Sequence, residues 1–225
     1  MEINANFAER AVVHSDQLPW VASPMQGVDR RMLDRIGGEV ARATTIVRYA
    51  PNSHFSPHTH DGGEEFIVLD GVFQDEHGDF PTGSYVRNPP TSSHTPGSEA
   101  GCVIFVKLWQ FDPDDRTQLR IDMNAAAAEA VAGRAGARAT ALFADAHEEV
   151  RLEHWDANST QIIDLPAGGE LLVLDGGFTE GGDQLGKHAW LRLPPGSQLA
   201  AKAGPDGARV WLKTGHLNKV TAPAA

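Results

Sequence analysis

Two histidines in the first half of the chain have a spacing that would allow both side chains to bind the same ion. His58 and His60 are two residues apart in an extended segment, and residues two apart on a β-strand point to the same side. Glu64 follows an Asp-Gly-Gly turn at residues 61–63 and begins an apolar segment typical of a strand. The carboxylate is therefore expected to face the two imidazoles across a tight turn. Imidazole and carboxylate are ligands of divalent zinc, iron, manganese, nickel or copper, so this segment predicts a metal site.

A third histidine completes the candidate site. His94 lies in the polar loop 91–96, shortly before the apolar segment 102–110. With the first three side chains it gives four nitrogen or oxygen ligands. The residues leave one alternative open, a polar network inside the fold that holds no metal.

Short apolar segments recur between turns that are rich in glycine and proline. The clearest of them are 43–49, 65–69, 85–87 and 102–111. Short strands at regular spacing are typical of an all-β barrel or sandwich. Such a fold is expected to position the candidate ligands.

The candidate ligands lie in motifs that resemble those of the cupin family. The segment 58–71 reads His-x-His, three residues, Glu, six residues, Gly, and resembles the first cupin motif. The segment 81–94 reads Pro-Thr-Gly and ends in a histidine, and it resembles the second. The resemblance implies an RmlC-like jelly-roll β-barrel, with a metal held by His58, His60, Glu64 and His94. The segments 61–73 and 78–90 are more narrowly similar to the cupin domain of ChrR-type anti-sigma factors.

The second half of the chain repeats the first at an offset close to 105 residues. Glu-Phe-Ile-Val-Leu-Asp-Gly-Val-Phe at 65–73 matches Glu-Leu-Leu-Val-Leu-Asp-Gly-Gly-Phe at 170–178. The repeat predicts two tandem cupin barrels, a bicupin, with an N-terminal domain at 1–118 and a C-terminal domain at 119–225. The alanine-rich stretch 124–141 reads as the connection between them and could hold a short helix.

The repeat does not carry the candidate ligands. On the same offset the four ligand positions are apolar or glycine: Ile163, Leu165, Gly169 and Leu199. The second barrel is therefore expected to keep its strands and turns without a metal site of this kind. Glu65, in contrast, recurs as Glu170. We accordingly interpret Glu64 as the ligand and Glu65 as a structural partner of Arg87.

We interpret the remaining residues that could do chemistry as structural or exposed residues. Cys102 is the one cysteine of the chain, so an internal disulfide and a multi-cysteine zinc site are excluded. It lies in an apolar strand segment and is expected in the core. His54 and His77 are expected to be exposed in loops, and no catalytic residue is assigned.

The composition argues against several classes of function. The chain has 19 basic and 30 acidic residues, a formal net charge of −11, so neither nucleic acid nor anionic lipid is expected as a partner. No apolar run reaches the roughly 20 residues of a membrane span. The N-terminus has no basic and apolar segments of a signal peptide. A cytoplasmic location is expected.

The resemblance to ChrR-type factors implies one zinc ion per chain and a sensor role in transcription regulation. A sigma factor or another protein would be the partner. Those factors grip a sigma factor through a separate helical zinc domain, which we expect to be absent, because the first barrel begins close to the N-terminus and the chain has one cysteine.

The alternative is a metal-dependent enzyme. Acetylacetone-cleaving dioxygenases are similar in size and motif, and they would imply iron or manganese with coordination positions open to O₂ or substrate. We favour the sensor over the enzyme. A small-molecule ligand and a homodimer are further expectations.

Overall fold

The chain folds almost entirely into antiparallel β-strands. The computed structural model describes residues 1–223, and within them the one helical element is the 3₁₀ helix Ser15–Gln17. The strands of the first part of the chain are β1 (Glu2–Ile3), β2 (Ala11–His14), β3 (Val21–Ala22), β4 (Val28–Gly37), β5 (Ala41–Tyr49), β6 (Ser53–His54), β7 (His58–Thr59), β8 (Glu64–Asp75), β9 (Gly78–Pro81), β10 (Ser84–Asn88), β11 (Ser93–His94), β12 (Gly97–Ser98), β13 (Cys102–Leu108) and β14 (Leu119–Asp122). The strands that follow are β15 (Glu129–Ala130), β16 (Ala137–Ala144), β17 (Glu149–Trp155), β18 (Thr160–Leu165), β19 (Gly169–Glu180), β20 (Asp183–Gly186), β21 (Ala189–Leu193) and β22 (Ser197–Thr214). The prediction of an all-β fold is confirmed.

The chain divides into two compact units. Of the described residues, unit 1 contains Met1–Ala5, Leu18–Ala125 and 221–223, and unit 2 contains Asn6–Gln17 and Ala126–Val220. Each unit therefore has the size of one of the two repeats that the sequence shows.

The main sheet of unit 1 has the strand order β1-β4-β5-β13-β8-β10-β14. Strand β8 opens with Glu-Glu-Phe-Ile-Val-Leu, six consecutive buried residues, as is usual for a strand that is covered on both faces. Strands β13 and β10 pair with β8 on its two edges. Strands β7 and β11 form a separate two-stranded sheet.

Unit 2 has the strand order β15-β16-β17-β22-β19-β21-β2. This order repeats that of unit 1 position for position. The register repeats as well, because Glu65 is opposite Arg87 in unit 1 and Glu170 is opposite Arg192 in unit 2. The sequence repeat is thus a repeat of topology and register.

Three segments differ from the sequence-based expectation. The boundary lies after Ala125 rather than after residue 118, because β14 pairs with β10 of unit 1. The N-terminal strand β2 pairs with β21 and is part of unit 2. The alanine-rich stretch 124–141 forms β15 and the beginning of β16 in place of a helix. Gly133 and Gly136, both with positive φ, lie in the turn between these two strands.

The interpretation of Glu65 as a structural residue is confirmed. Its Oε1 lies 3.4 Å from Nη1 of Arg87, and the two side chains are 2% and 1% exposed. The hydroxyl of Tyr85 donates a hydrogen bond to the same oxygen at 2.5 Å. In unit 2 the equivalent Glu170 lies 3.2 Å from His216. Both units thus hold a buried carboxylate at this point of the central sheet.

Candidate metal centre

The two-stranded sheet of β7 and β11 brings the first and last candidate ligands together. His58 and His94 are direct partners in its antiparallel register. The N–H of His60 donates to the carbonyl of Ser92 at 2.9 Å and extends this pairing beyond β7. Two residues that are 36 positions apart in the sequence thus become neighbours.

A glycine turn returns the chain from His60 to the start of β8. An ideal Cβ on Gly62 would lie 2.3 Å from the ring of Trp109, and one on Gly63 would lie 2.4 Å from the ring of Phe111. Gly63 also has a φ of +75°, which strains any residue with a side chain. Only glycines therefore allow the turn to lie against these two rings, and this placement brings Glu64 back to the histidines.

The four predicted ligands converge in unit 1. Ring centroids of the three histidines are 4.7 to 5.0 Å apart, and one nitrogen of each lies within 4.8 Å of the others. Oε2 of Glu64 is 3.6 Å from Nε2 of His60 and 3.7 Å from Nε2 of His94. His60, His94 and Glu64 are buried, whereas His58 is exposed. The cluster can therefore be reached from solvent on the side of His58.

Hydrogen bonds behind the cluster orient its members. The side-chain amide of Asn88 donates to Oε2 of Glu64 at 3.1 Å. Nδ1 of His58 lies 3.3 Å from the carbonyl oxygen of Ser56. Nδ1 of His94 lies 3.3 Å from Oδ2 of Asp75, a residue that the sequence analysis did not single out. These contacts engage Nδ1 of His58 and His94 and leave Nε2 of His94 facing Glu64.

The electrostatics of the cluster suit a cation. Burial, and to a smaller extent the nearby His58, lower the pKa of His60 to about 4. Burial is also the main cause that lowers the pKa of His94, against the attraction of Glu64. Both imidazoles are therefore neutral at pH 7 and have a lone pair for a ligand.

A buried nitrogen without a hydrogen bond also suggests that the cluster binds a cation. Nε2 of His60 is buried without a hydrogen bond, which is costly for a polar atom. Three imidazoles and one carboxylate fit zinc and the other divalent transition metals, which bind such sets. The residues present therefore fit a divalent ion, which His58, His60, Glu64 and His94 would hold.

In unit 2 the positions equivalent to the candidate ligands are occupied by apolar residues or glycine. Ile163 and Leu199 are register partners there, as His58 and His94 are in unit 1. An ideal Cβ on Gly169 would lie 3.0 Å from a methyl group of Leu165, so the leucine fills the space that a longer side chain would need. Ile163, Leu165 and Leu199 belong to the hydrophobic core of unit 2. These positions of unit 2 are therefore part of an apolar core.

Residues 8–112 match a family model described as the ChrR cupin-like domain. This part of the chain is therefore similar to the ChrR cupin-like domain. No curated protein has significant sequence similarity to the chain.

The cupin fold is also seen in solved structures that cover most of the chain. A candidate dioxygenase from Nostoc punctiforme is 16% identical to this chain and has a TM-score of 0.77. The alignment covers 97% of this chain and 87% of the dioxygenase. A cupin 2 conserved barrel domain protein from Leptotrichia buccalis is 11% identical, with 90% and 95% coverage and a TM-score of 0.61. The bacterial pirin YhhW from Escherichia coli, in complex with nickel(II), is 13% identical, with 92% and 98% coverage and a TM-score of 0.65. At these identities the similarity shows the fold alone.

His54, His77 and Cys102 lie outside the candidate metal cluster. His54 and His77 are exposed, as expected. Cys102 is 3% exposed, and burial raises the pKa of its thiol to about 11, so its interpretation as a core residue is confirmed. In the described part of the chain, no helical element has the length and apolar character needed to span a membrane.

Proposed function

We propose that the chain is a bicupin whose N-terminal unit binds one divalent metal ion, with zinc as the preferred ion. Its ligands would be His58, His60, Glu64 and His94. The observation that carries the proposal is the convergence of three imidazoles beside the Glu64 carboxylate, with Nε2 of His60 buried and without a hydrogen bond. When bound, the ion would supply Lewis acidity and a point for ligand exchange.

The role that we favour is that of a cytoplasmic sensor module in transcription regulation. The match of residues 8–112 to the ChrR cupin-like domain supports this role. A change at the exposed His58 edge of the cluster, such as binding of a small molecule, would be the signal. A sigma factor or another protein would be the partner that responds to it, and a homodimer is compatible with the proposal.

A second candidate is a metal-dependent dioxygenase. The exposure of His58 favours it, because solvent or a small substrate could approach the metal position from that side. Iron or manganese would take more than four ligands and would leave positions open, whereas a four-coordinate zinc site would be closed. The fold similarity to the candidate dioxygenase from Nostoc punctiforme is compatible with this activity but does not imply it, since one fold supports many functions.

Metal analysis and titration test the site. Protein prepared without tags or chelators is expected to contain close to one metal ion per chain by elemental mass spectrometry. After chelation, calorimetric titration with Zn(II) is expected to show one site, which His60→Ala removes. The matched control is His54→Ala, since His54 is an exposed histidine of the same unit that lies outside the cluster. Equal Zn(II) affinity of wild type and His60→Ala would overturn the site.

The bound metal and its activity decide between the two roles. One zinc per chain with no oxygen consumption supports the sensor. One iron or manganese per chain, with oxygen uptake in the presence of small diketones, supports the dioxygenase. In that case Glu64→Gln must abolish the uptake.

A further inference from the structure

We infer that Asp75 is a positioning residue that fixes the tautomer of His94 and so prepares Nε2 of this imidazole for a metal ion. The inference rests on the proposed metal site. Oδ2 of Asp75 lies 3.3 Å from Nδ1 of His94, and both side chains are 3% exposed. Water therefore has little access to this contact.

The chemistry of the contact selects one tautomer. An ionised carboxylate only accepts hydrogen bonds, so Nδ1 of a neutral His94 must carry the proton that it donates to Asp75. Nε2 then has the free lone pair. This nitrogen faces Glu64, with 3.7 Å between Nε2 and Oε2. Histidine ligands of metals commonly donate their second nitrogen to a carboxylate in this way.

The hairpin at the end of β8 holds Asp75 in the required orientation. Oδ1, the other oxygen of its carboxylate, accepts a hydrogen bond from the main-chain N–H of His77 at 2.7 Å. Glu76 accepts one from the N–H of Thr95 at 2.8 Å and so ties the hairpin to the residue that follows His94. With Oδ1 engaged, Oδ2 is the oxygen that faces the imidazole.

Unit 2 supplies an internal comparison. Glu180 ends β19 as Asp75 ends β8, and it pairs with Asp183 as Asp75 pairs with Gly78. The position of His94 is Leu199 in unit 2. There Glu180 accepts hydrogen bonds from Arg10 at 2.7 and 2.9 Å. The carboxylate at this hairpin thus has an arginine as its partner where the histidine is missing, and the histidine as its partner where the ligands are present.

The substitution Asp75→Asn tests the inference because the hairpin fixes how the amide must lie. Its oxygen would accept the N–H of His77, so its NH₂ group would face Nδ1 of His94. An NH₂ group is a donor and requires the lone pair on Nδ1, which moves the proton of His94 to Nε2. Nε2 could then bind a metal only after the tautomer changes back.

Two measurements follow on the full chain. In metal-free protein at pH 7.5, long-range ¹H–¹⁵N NMR spectra are expected to show His94 protonated at Nδ1 in the wild type and at Nε2 in Asp75→Asn. Zn(II) titration is expected to show an increase in Kd of about 10- to 100-fold for Asp75→Asn. The control is Asp79→Asn, in the same hairpin, because Asp79 accepts a hydrogen bond from Gln74 in an exposed contact. This control is expected to leave both results unchanged.

The outcomes separate this inference from the proposed function. An unchanged tautomer together with an unchanged Kd in Asp75→Asn would overturn the inference while the wild type still binds Zn(II). A wild type that does not bind Zn(II) would refute the metal site, and the NMR spectra would then decide alone whether Asp75 sets the tautomer. If Asp75→Asn does not fold, Asp75→Ser takes its place, since the hydroxyl can accept the N–H of His77 without reaching His94. It is expected to show a mixture of the two tautomers, and a spectrum with Nδ1 fully protonated would reject the inference.

Discussion

His58 and His94 are register partners in unit 1, and the same pair of positions in unit 2 is occupied by Ile163 and Leu199. One backbone arrangement therefore supports a polar cluster in the first unit and an apolar core in the second. Unit 2 forms this arrangement without the polar residues. If unit 1 does not need them for folding either, the proposed metal site accounts for their convergence on one point.

A variant of unit 1 with the residues of unit 2 should fold without metal. The triple substitution His60→Leu, Glu64→Gly and Asn88→Leu introduces the residues found at Leu165, Gly169 and Leu193. It removes the buried Nε2 that has no hydrogen bond, so the free energy of unfolding of the metal-free protein should be equal to that of the wild type or higher by about 1 kcal/mol. Urea unfolding in the presence of a chelator measures this quantity.

The reciprocal change in unit 2 is the control for this prediction. Leu165→His places an imidazole in the apolar cluster, where Leu165 is 1% exposed. We expect it to lower the free energy of unfolding by about 1 to 3 kcal/mol, because a polar group is buried without a partner. If the triple variant of unit 1 lost more stability than Leu165→His, the polar cluster would have to be regarded as part of the scaffold.

The proximity of His58, His60 and Glu64 could be predicted from the sequence because its signals are local. His58 and His60 are two apart on one extended segment, and Glu64 follows a glycine turn, so the backbone is expected to bring them together. The resemblance to the cupin motifs added His94 to the candidate set. The repeat then separated Glu64 from Glu65, since only Glu65 recurs, as Glu170. The all-β fold followed in the same way from short apolar segments and their turns.

Contacts that depend on distant pairing could not be predicted. Asp75 meets His94 only because the hairpin of β8 and β9 folds back onto the loop after β10, and nothing in the types of these residues indicates that contact. Strand β2 pairs with β21 near the other end of the chain. Its apolar residues Val12 and Val13 predict an extended segment but not its partner strand. The domain boundary predicted after residue 118 differs from the observed one for the same reason, because the partner strand of β14 is determined by the tertiary fold.

A second prediction concerns the turn beneath the candidate site. Gly62→Ala would place a Cβ 2.3 Å from the ring of Trp109, so the turn or the ring must move. We expect a loss of about 1 to 3 kcal/mol in the free energy of unfolding and a weaker affinity for Zn(II), because the turn joins His60 to Glu64. Thermal unfolding and calorimetric titration measure the two effects.

Gly38→Ala is the matched control for this turn. A Cβ on Gly38 meets no atom within 4 Å, and its change in stability should stay within about 0.5 kcal/mol. A Gly62→Ala protein with the stability and Zn(II) affinity of this control would show that the ring of Trp109 does not restrict the turn.

A third prediction concerns the reactivity of Cys102. Burial raises the pKa of its thiol from 9.0 to about 11, and the thiolate is the reactive form. At pH 8 about one thiol in a thousand would be ionised in the folded protein, compared with about one in ten when the pKa is 9.0. The reaction with a disulfide reagent should therefore be at least about 100-fold slower in the folded protein than in urea. Equal rates in the two states would mean that Cys102 is accessible, contrary to its exposed fraction of 3%.

A fourth prediction separates the buried ion pair of unit 1 from one on its surface. Glu65→Gln removes the charge that faces Arg87 and leaves the Tyr85 hydroxyl with a neutral, weaker acceptor in place of the carboxylate. Loss of one partner of a buried pair typically costs about 3 to 5 kcal/mol, and we expect the lower end, because Arg87 also contacts Asp115 at 2.9 Å. The comparison is Asp29→Asn, which removes the partner of Arg48 in a pair that is 36% and 44% exposed. That change should cost less than about 1 kcal/mol. Urea unfolding of both variants under the same conditions measures the difference, and equal losses would show that burial does not strengthen the dependence of the fold on Glu65.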